Sequence, residues 1–397
     1  MTVDEQIAIL RRGTSAIVSE EDLRKKLSLG RPLRVKLGLD PTAKDITLGW
    51  AVVLRKIRDF QRLGHTGCII VGNFTAQIGD PTGKSKTRRQ LTREEVMEYF
   101  EAIQEKLYKI LIPEKTQLFF NEDWLGKMTF ADVIRLSSKY TVARILERDD
   151  FTKRLAEQRP ISMHEILYPL CQGMDSVEID ADIELGGNDQ LFNNLVGRNL
   201  MEQYGKAPQV VMTCPLLVGT DGKEKMSQSI GNYVSISDTP NDMFGKTMSI
   251  PDDLIGNWFE LCTDVPLSEV AELTAEGQNP RNAKVRLARE IVALYHGEEA
   301  GAEAEQYFVD TFSKRQQPVE AEEVTLPDAA VADGFVSIPA LIVELGLAKS
   351  NGAVKDLVKA GAIALDGEKV TDLRMERDQI LGRVLKVGKH AFRKIVG

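Results

Sequence analysis

The first third of the chain alternates apolar strand patterns with longer helical patterns, and this alternation limits the possible folds most strongly. Apolar residues occupy every second position from Leu33 to Leu39, and a helical pattern runs from Leu48 to Leu63. A second strand pattern, Cys68 to Val71, precedes a helix predicted over 92–112, which begins with the capping sequence Thr92-Arg-Glu-Glu95. Strands and helices in this order favour a parallel, doubly wound α/β sheet.

Ligands of such sheets bind at the carboxyl ends of the strands, where the strand order reverses. The loops at those ends here are Asp40-Pro-Thr42 and Gly79-Asp-Pro-Thr-Gly-Lys84. Each places a carboxylate and a hydroxyl on a proline turn beside a helix start, an environment that favours phosphate groups. Taken alone, each loop is more typical of a plain turn than of a phosphate site, and the second lacks the spacing of a Walker phosphate loop.

Three further segments carry polar side chains at useful spacings. Tyr168, Gln172 and Asp175 lie at i, i+4 and i+7, so a helix presents all three on one face, where they could bind an ammonium group or simply face water. Gly186-Gly-Asn-Asp-Gln190 follows a strand predicted over 181–185 and could receive a ribose or a carboxylate. The loop Asp221 to Ser229 carries Lys225 and is otherwise typical of a surface turn.

The 397 residues are enough for two or three domains. A stretch with two prolines, five acidic residues and no Lys or Arg, 316–334, is typical of a linker. The part after it, 335–397, has 11 Lys/Arg against seven Asp/Glu, although the whole chain has a net charge of -8. Two helical patterns and short strands around an Asp366-Gly367 turn predict a compact basic αβ module there.

The location of the protein is also constrained. The first ten residues contain Asp4 and Glu5 and lack a basic, apolar leader, and no 18-residue apolar run occurs in the sequence. The cysteines are Cys68, Cys171, Cys214 and Cys262, and none forms a CxxC pair. These features predict a cytoplasmic protein with no membrane partner.

Together, these segments resemble the bacterial tyrosyl-tRNA synthetases of the longer type, which are class I enzymes. The similarity extends from about Glu5 to Val396. The stretches that carry it are Arg34 to Thr42, Gly79 to Lys84, Val133 to Arg135, Tyr140 to Asp150, Tyr168 to Ser176, Gly186 to Gln190, Lys225 to Ser227 and Met248 to Asp252.

The resemblance implies how the chain is organised. It implies a Rossmann-like catalytic domain over 1–222 with a dimerisation insertion at about 129–165. In that insertion an apolar face is expected from Phe130, Val133, Ile134, Leu136, Ile145 and Leu146. A helical domain over 223–315, the linker 316–334 and an RNA-binding domain of the αL type over 335–397 follow.

The resemblance also implies the reaction. Tyrosine attacks the α-phosphate of ATP, which is expected with Mg²⁺ and without any permanently bound cofactor, and the tyrosyl group then passes to tRNA. The residues implied for tyrosine are Asp80, Tyr168 and Gln172 for the ammonium, Asp175 for the phenol and Gln190 for the carboxylate. Those implied for catalysis at the phosphates are Thr42, Thr47, Lys84, Arg88 and Lys225. Those implied for the rest of the nucleotide are Gly38, Asp40, Trp50, Gly187, Asp189, Met226 and Ser227.

The chain departs from the family pattern where the phosphates would bind. The family's His-x-Gly-His signature is Thr47-Leu-Gly-Trp50 here, and its KMSKS loop has Gln228 as the fourth residue. Smaller departures are Met174, Asn188, and Asn73 with Ala76 and Gln77.

Three hypotheses therefore stay open. One is a tyrosine-tRNA ligase with slow activation, and the second is a paralogue that uses another amino acid. The third is a non-catalytic binding or regulatory homologue.

Overall fold

The computed structural model describes residues 1–82, 91–313, 321–332, 334–388 and 391–397. The chain forms two compact units, Met1–Gly301 and Ala302–Gly397. The N-terminal unit has one six-stranded sheet and the C-terminal unit has two smaller sheets, and each unit has its own apolar core.

The N-terminal unit is a sheet with helices packed against it. Its strands are β1 (Ala16–Val18), β2 (Arg34–Leu39), β3 (Thr66–Val71), β4 (Thr116–Phe120), β5 (Ile183–Gly187) and β6 (Val210–Cys214). Its helices are α1 (Val3–Arg11), α2 (Glu20–Leu27), α3 (Leu48–Arg62), α4 (Thr75–Ile78), α5 (Arg93–Leu107), α6 (Glu122–Leu125), α7 (Phe130–Ser137), α8 (Val142–Ile145), α9 (Asp149–Ala156), α10 (Met163–Glu178), α11 (Leu191–Gln203), α12 (Pro240–Met248), α13 (Ile255–Cys262), α14 (Leu267–Leu273) and α15 (Pro280–His296). Helix α16 (Glu298–Phe308) crosses the limit between the two units.

The strand order in this sheet is β1-β6-β5-β2-β3-β4. All neighbouring pairs are parallel except β1 with β6. The doubly wound parallel sheet predicted from the sequence is therefore confirmed. The chain moves outward from β2 through β3 to β4 and then returns to the other side of β2 as β5, so the strand order reverses between β2 and β5.

Hydrogen bonds with capping side chains explain where α3 and α5 begin. Thr47 accepts a hydrogen bond from the Trp50 amide and caps α3, and Thr92 and Glu95 form the predicted capping box at the start of α5. Gly67 in β3 faces α3 so closely that a Cβ atom would lie 2.6 Å from Ile57 Cγ2. The absence of a side chain at this position is what lets α3 pack on the sheet.

The helices of the predicted insertion, α7 to α9, bury some of their apolar residues in the core of the N-terminal unit and leave others exposed to solvent. Leu136 and Ile145 are buried in a core cluster with Phe151, so the prediction that these two lie on an outward apolar face is wrong. Short helices fix side-chain direction only through their tertiary packing. The residues that do remain strongly exposed on this segment and at the start of α10 are Phe130, Ile134, Val142, Leu155 and Met163.

The C-terminal unit combines two helices with two small sheets. Its helices are α17 (Ile338–Glu344) and α18 (Asn351–Lys359), and its strands are β7 (Glu322–Thr325), β8 (Val331–Ala332), β9 (Phe335–Ser337), β10 (Ile363–Leu365), β11 (Glu368–Lys369), β12 (Arg374–Glu376), β13 (Val384–Val387) and β14 (Ala391–Val396). Asp366 and Gly367 both have positive φ and form the turn between β10 and β11, as predicted.

The segment predicted as a linker, 316–334, contains structure of its own. Over the described residues, β7 pairs in parallel with β14 and belongs to the five-stranded C-terminal sheet. Glu322 pairs with Arg393, and Glu323 pairs with Lys394. The linker prediction is wrong for this part of the segment. Its acidic side chains form ion pairs with basic residues of β14, about 70 positions later in the chain, and the local composition gives no sign of that partner strand.

No helix in the described part of the chain is long and apolar enough to cross a membrane.

Replacing Gly67 with alanine should lower the free energy of unfolding by about 1–3 kcal/mol, because the new methyl group overlaps Ile57. Gly245→Ala is the matched control, since nothing lies within 4 Å of that Cβ position in α12. The control should be neutral or more stable by up to about 1 kcal/mol. Urea unfolding of the two variants, followed by circular dichroism, checks the pair, and equal midpoints would contradict the packing argument.

Candidate active site

A cleft of about 520 Å³ opens at the carboxyl ends of β2 and β5. All the predicted site residues that the structure describes line it, namely Gly38, Asp40, Thr42, Thr47, Trp50, Asp80, Tyr168, Gln172, Asp175, Gly187, Asp189, Gln190, Lys225, Met226 and Ser227. Lys84 and Arg88 lie outside the described residues. Segments that are far apart in sequence therefore meet at the point where the strand order reverses.

One end of the cleft presents a buried carboxylate. Asp175, on α10, is 2% exposed. Trp124 Nε1 donates to Asp175 Oδ1 at 2.9 Å, and Asn121 Nδ2 donates to Oδ2 at 3.3 Å. Burial raises the pKa of Asp175 to about 7, against the influence of Lys36 and these two donors. Each carboxylate oxygen keeps a lone pair, so Asp175 can accept a further hydrogen bond from a ligand hydroxyl.

Asp40 and Tyr168 form the adjoining wall. Tyr168 Oη donates to Asp40 Oδ2 at 2.7 Å, and Thr75 Oγ1 donates to Asp40 Oδ1 at 2.7 Å. Burial raises the pKa of Tyr168 well above its ordinary value, so the phenol stays protonated and keeps donating. A Cβ atom at Gly72 would overlap Asp40 Oδ1, which explains why this loop has a glycine beside the carboxylate.

Side-chain amides hold the middle of the cleft. Gln190 Nε2 donates to Asp80 Oδ2 at 2.8 Å. Asn193 Nδ2 donates to Gln172 Oε1 and to Gln190 Oε1, both at 3.2 Å. Sequence reasoning missed Asn193, because its only signal is its place three residues after Gln190 at the start of α11.

A buried ion pair lies behind these amides. Lys36 and Glu184 are cross-strand partners on β2 and β5, they are 0% and 1% exposed, and their charged atoms are 2.8 Å apart. Lys36 Nζ also donates to Ser176 Oγ at 2.7 Å and to the Gln172 carbonyl at 2.9 Å. The pair therefore fixes α10 against the two strands between which the strand order reverses.

The other end of the cleft is formed by the start of α3. Thr47 is buried and caps the helix, and the amide of Leu48 donates to the Val234 carbonyl at 2.9 Å. The Trp50 side chain reaches the cleft wall. A helix N-terminus favours anions, although neither imidazole of the family signature is present here.

The loop 225–229 closes over this end. Lys225 Nζ lies 3.0 Å from Asp189 Oδ2, and Gln228 Nε2 donates to the Asp45 carbonyl at 2.8 Å. Met226 Sδ accepts from the Gly49 amide at 3.3 Å. The residue that replaces the second lysine of the family loop thus contacts the loop between β2 and α3.

The residues at the smaller departures from the family pattern do not line the described part of the cleft. Met174 packs in the core beneath α10 and α11. Asn73 is buried and exchanges hydrogen bonds with Glu122, donating from Nδ2 at 3.0 Å and accepting from the Glu122 amide at 3.1 Å. Asn188, Ala76 and Gln77 do not line the described part of the cleft either. None of these five residues is therefore a lining residue in the described part of the cleft.

The cleft can therefore bind a ligand with unlike ends. A hydroxyl group fits beside Asp175, a positive group fits near Asp80, and an anionic group fits beside Lys225, where the positive end of the α3 dipole adds to the charge of the lysine. Among the described residues, no cluster of His, Cys, Asp and Glu side chains has the arrangement of a metal site.

Comparisons with known proteins show which family the chain resembles. Residues 28–313 match the family described as tRNA synthetases class I (W and Y). The chain is 51% identical to the tyrosine–tRNA ligase of Moorella thermoacetica, over 99% of this chain and 96% of that protein. It is 49% identical to the tyrosine–tRNA ligase of Thermotoga maritima, over 100% of this chain and 98% of that protein.

Solved structures show the same fold. A tyrosyl-tRNA synthetase from Archaeoglobus fulgidus complexed with L-tyrosine superposes with a TM-score of 0.64 at 22% identity, covering 77% of this chain and 100% of that one. A mitochondrial tyrosyl-tRNA synthetase from Coccidioides posadasii gives 0.63 at 22% identity, covering 76% and 91%.

Proposed function

The chain belongs to the class I tRNA synthetases of the W and Y family, and from this membership we infer that it is a tyrosine-tRNA ligase. It activates tyrosine with ATP and transfers the tyrosyl group to tRNA. The relatives at about 50% identity span the full chain, and the cleft adds a buried acceptor for a phenol. That acceptor, Asp175 with both oxygens held, is the structural observation that carries the inference.

We propose that tyrosine lies along the cleft with its phenol at Asp175. Its ammonium then lies near Asp80, Tyr168 and Gln172, and its carboxylate near Gln190. Phenylalanine has no hydroxyl, so it would leave a buried, partly satisfied carboxylate without its last partner. Because Met174 and Asn188 lie outside the cleft lining, they give no support for a different amino acid.

We propose that ATP, as its Mg²⁺ complex, binds at the other end, with its ribose near Asp189 and its phosphates beside Thr42 and Lys225. A tyrosine carboxylate oxygen attacks the α-phosphorus, and the bond to the β-phosphate oxygen breaks, so pyrophosphate leaves with the electron pair. The terminal ribose hydroxyl of tRNA then attacks the tyrosyl carbonyl, and AMP leaves. The enzyme contributes positioning and charge stabilisation.

The further roles expected from the sequence are proposed on the same basis. Gly38, Asp40, Trp50, Gly187, Met226 and Ser227 would contact the nucleotide, and their place in the lining supports this. Lys84 and Arg88 are proposed for the phosphates from the resemblance alone. Lys225 is paired with Asp189, so ATP binding would exchange that ion pair for contacts with the ribose and phosphates.

We propose that the basic C-terminal residues 335–397 bind tRNA. Two cations of this unit lie over aromatic rings, Arg374 over Phe335 at 4.5 Å and Lys386 over Phe392 at 5.5 Å. Such pairs give surfaces on which RNA bases and phosphates can bind together.

The domain limits at 222 and 315 are proposals as well. A cytoplasmic location is also a proposal, and the four free cysteines support it.

Exchange of labelled pyrophosphate into ATP, measured with each of the twenty amino acids, tests the activity. Tyrosine-dependent exchange is expected. Exchange with another amino acid would replace the inference with the paralogue hypothesis, and no exchange with any of them would replace it with a binding protein.

Tyrosine affinity should depend on the ionisation of Asp175, whose pKa is raised to about 7. The ionised form accepts the phenol hydrogen bond while keeping the bonds from Trp124 and Asn121. Affinity should therefore be constant near pH 8.5 and fall by up to about tenfold per pH unit well below pH 7. Calorimetry from pH 5.5 to 8.5 measures this, and Asp175→Asn should bind weakly with a flat profile. A wild-type profile as flat as that of the variant would contradict the assignment.

Activation should be slow, because Thr47, Trp50 and Gln228 replace two imidazoles and an ammonium. The double change Thr47→His with Trp50→His should raise the exchange rate by about 100-fold, if each imidazole supplies about 1.4 kcal/mol. Tyrosine affinity should change little, since Asp80 and Asp175 are untouched. Trp50→Phe is the control, because it keeps an aromatic ring without an imidazole and should not raise the rate. No gain from the double change would show that other groups stabilise the phosphates.

We propose that the protein is a homodimer joined through the exposed apolar residues of the segment α7 to α10. Phe130 is 81% exposed and Met163 is 70% exposed, and a dimer interface would bury these large apolar side chains. Replacing Phe130 and Ile134 together with Asp should give a monomer by light scattering at micromolar concentration. Leu29→Asp, at an exposed leucine outside this segment, should leave the dimer intact. A monomeric wild type would contradict the proposal.

A further inference from the structure

Arg148 is a buried cation in the helical segment α7 to α10, and it comes directly before α9. It is 5% exposed. Its Nε and Nη2 atoms donate to the two oxygens of Asp150 at 2.6 and 2.9 Å, and its guanidinium lies 4.0 Å from the centre of the Phe151 ring. These contacts hold the group rigidly. Its remaining nitrogen, Nη1, points away from the segment and donates to Asn193 Oδ1 at 3.3 Å.

The charge of Arg148 decides which way the Asn193 amide faces. A guanidinium can only donate, so the Asn193 oxygen must face it and the Asn193 nitrogen must face the cleft. That nitrogen donates to the side-chain oxygens of Gln172 and Gln190. The 1% exposure of Asn193 means that no solvent can take over these bonds.

The two glutamines are tied to carboxylates at their other atoms. Gln172 Nε2 lies 3.3 Å from Glu184 Oε1, and Gln190 Nε2 lies 2.8 Å from Asp80 Oδ2. The amides therefore form a branched chain that starts at one cation and ends at two anions. Every amide in the chain has its oxygen toward the cation and its nitrogen toward an anion, so the hydrogen bonds reinforce one another.

We propose that Arg148 is a positioning residue for tyrosine: through Asn193 it orients the side chains of Gln172 and Gln190 for the amino acid's ammonium and carboxylate. This rests on the proposed function, in which those glutamines contact tyrosine. Arg148 itself lies behind them and touches neither substrate. An arriving ammonium group competes for Asp80, which loosens one anchor of Gln190. For Gln190, the bonds from Arg148 through Asn193 are the anchor that persists when tyrosine is bound.

A neighbouring arginine provides a structural comparison. Arg154, on α9, is as deeply buried as Arg148, and its guanidinium lies 5.9 Å from the centre of the same Phe151 ring. It pairs with Glu165 at 2.7 and 3.0 Å and donates to the Pro160 carbonyl, and these contacts stay within the helical segment. Arg154 shares the burial and the packing of Arg148 without the contact to Asn193.

The experiment measures exchange kinetics of the full chain with Arg148→Met. The KM for tyrosine should rise about tenfold, the effect of one hydrogen bond from a charged group. The KM for ATP should stay within about twofold of wild type. Inhibition by p-cresol, which has the phenol but neither the ammonium nor the carboxylate, should also stay within about twofold, because Asp175 has separate anchors. General damage to the fold would weaken tyrosine and p-cresol together.

Matched variants separate positioning from stability. Arg154→Met with Glu165→Met removes a buried ion pair of the same segment and should leave the KM for tyrosine within about twofold, whatever its effect on thermal stability. Arg148→Lys keeps one donor and should recover part of the affinity. Asn193→Asp cannot donate to the glutamines, so it should weaken tyrosine and spare p-cresol. If Arg148→Met does not fold, Arg148→Lys and Asn193→Asp test whether Arg148 orients the glutamines through Asn193.

An unchanged KM for tyrosine in Arg148→Met would overturn the proposal, and so would equal losses for tyrosine and p-cresol. A tyrosine loss of the same size in the Arg154→Met, Glu165→Met variant would also overturn it. These results differ from a failure of the proposed function, in which the wild-type protein itself shows no tyrosine-dependent exchange.

Discussion

Between β2 and β5, the charged ends of Lys36 and Glu184 meet in the interior of the N-terminal unit. A buried ion pair persists only where hydrogen bonds satisfy its remaining donors and acceptors. Here Ser176 and the Gln172 carbonyl accept from Lys36, and Gln209 and Gln172 donate to Glu184. Because two of these partners lie on α10, the pair fixes the helix that carries Tyr168, Gln172 and Asp175. The position of Gln172 and Asp175 depends on it.

The two ends of the cleft are stabilised in different ways. At the Asp175 end the carboxylate is buried and each of its oxygens accepts a hydrogen bond from a neighbour, so its position does not depend on a ligand. At the end proposed for ATP the contacts are more exposed, as with Lys225 and Asp189, whose ion pair would separate in the proposed binding mode. An enzyme of this kind can bind its amino acid in a preformed pocket and complete the phosphate site only when ATP is present.

Much of the fold could be predicted because its signals are local. The alternation in β2, the capping box of α5 and the turn at Asp366 are contained in a few neighbouring residues. Parallel pairing of β7 with β14 joins residues about 70 positions apart, so no local pattern contains it. The outward or inward direction of Leu136 and Ile145 was also unpredictable, since packing sets the rotation of helices only four to eight residues long.

The candidate site divides in the same way. The candidate residues that lie on the family motifs could be predicted from the sequence. Trp124, Asn121, Asn193 and Arg148 could not, because only the tertiary fold brings them to Asp175 and the glutamines. We infer that Asp175 is a prearranged acceptor for the phenol of tyrosine. Calorimetric titration with tyrosine and with phenylalanine at pH 8 tests it most directly. Phenylalanine should bind more than about tenfold more weakly than tyrosine. Equal affinities would contradict the claim.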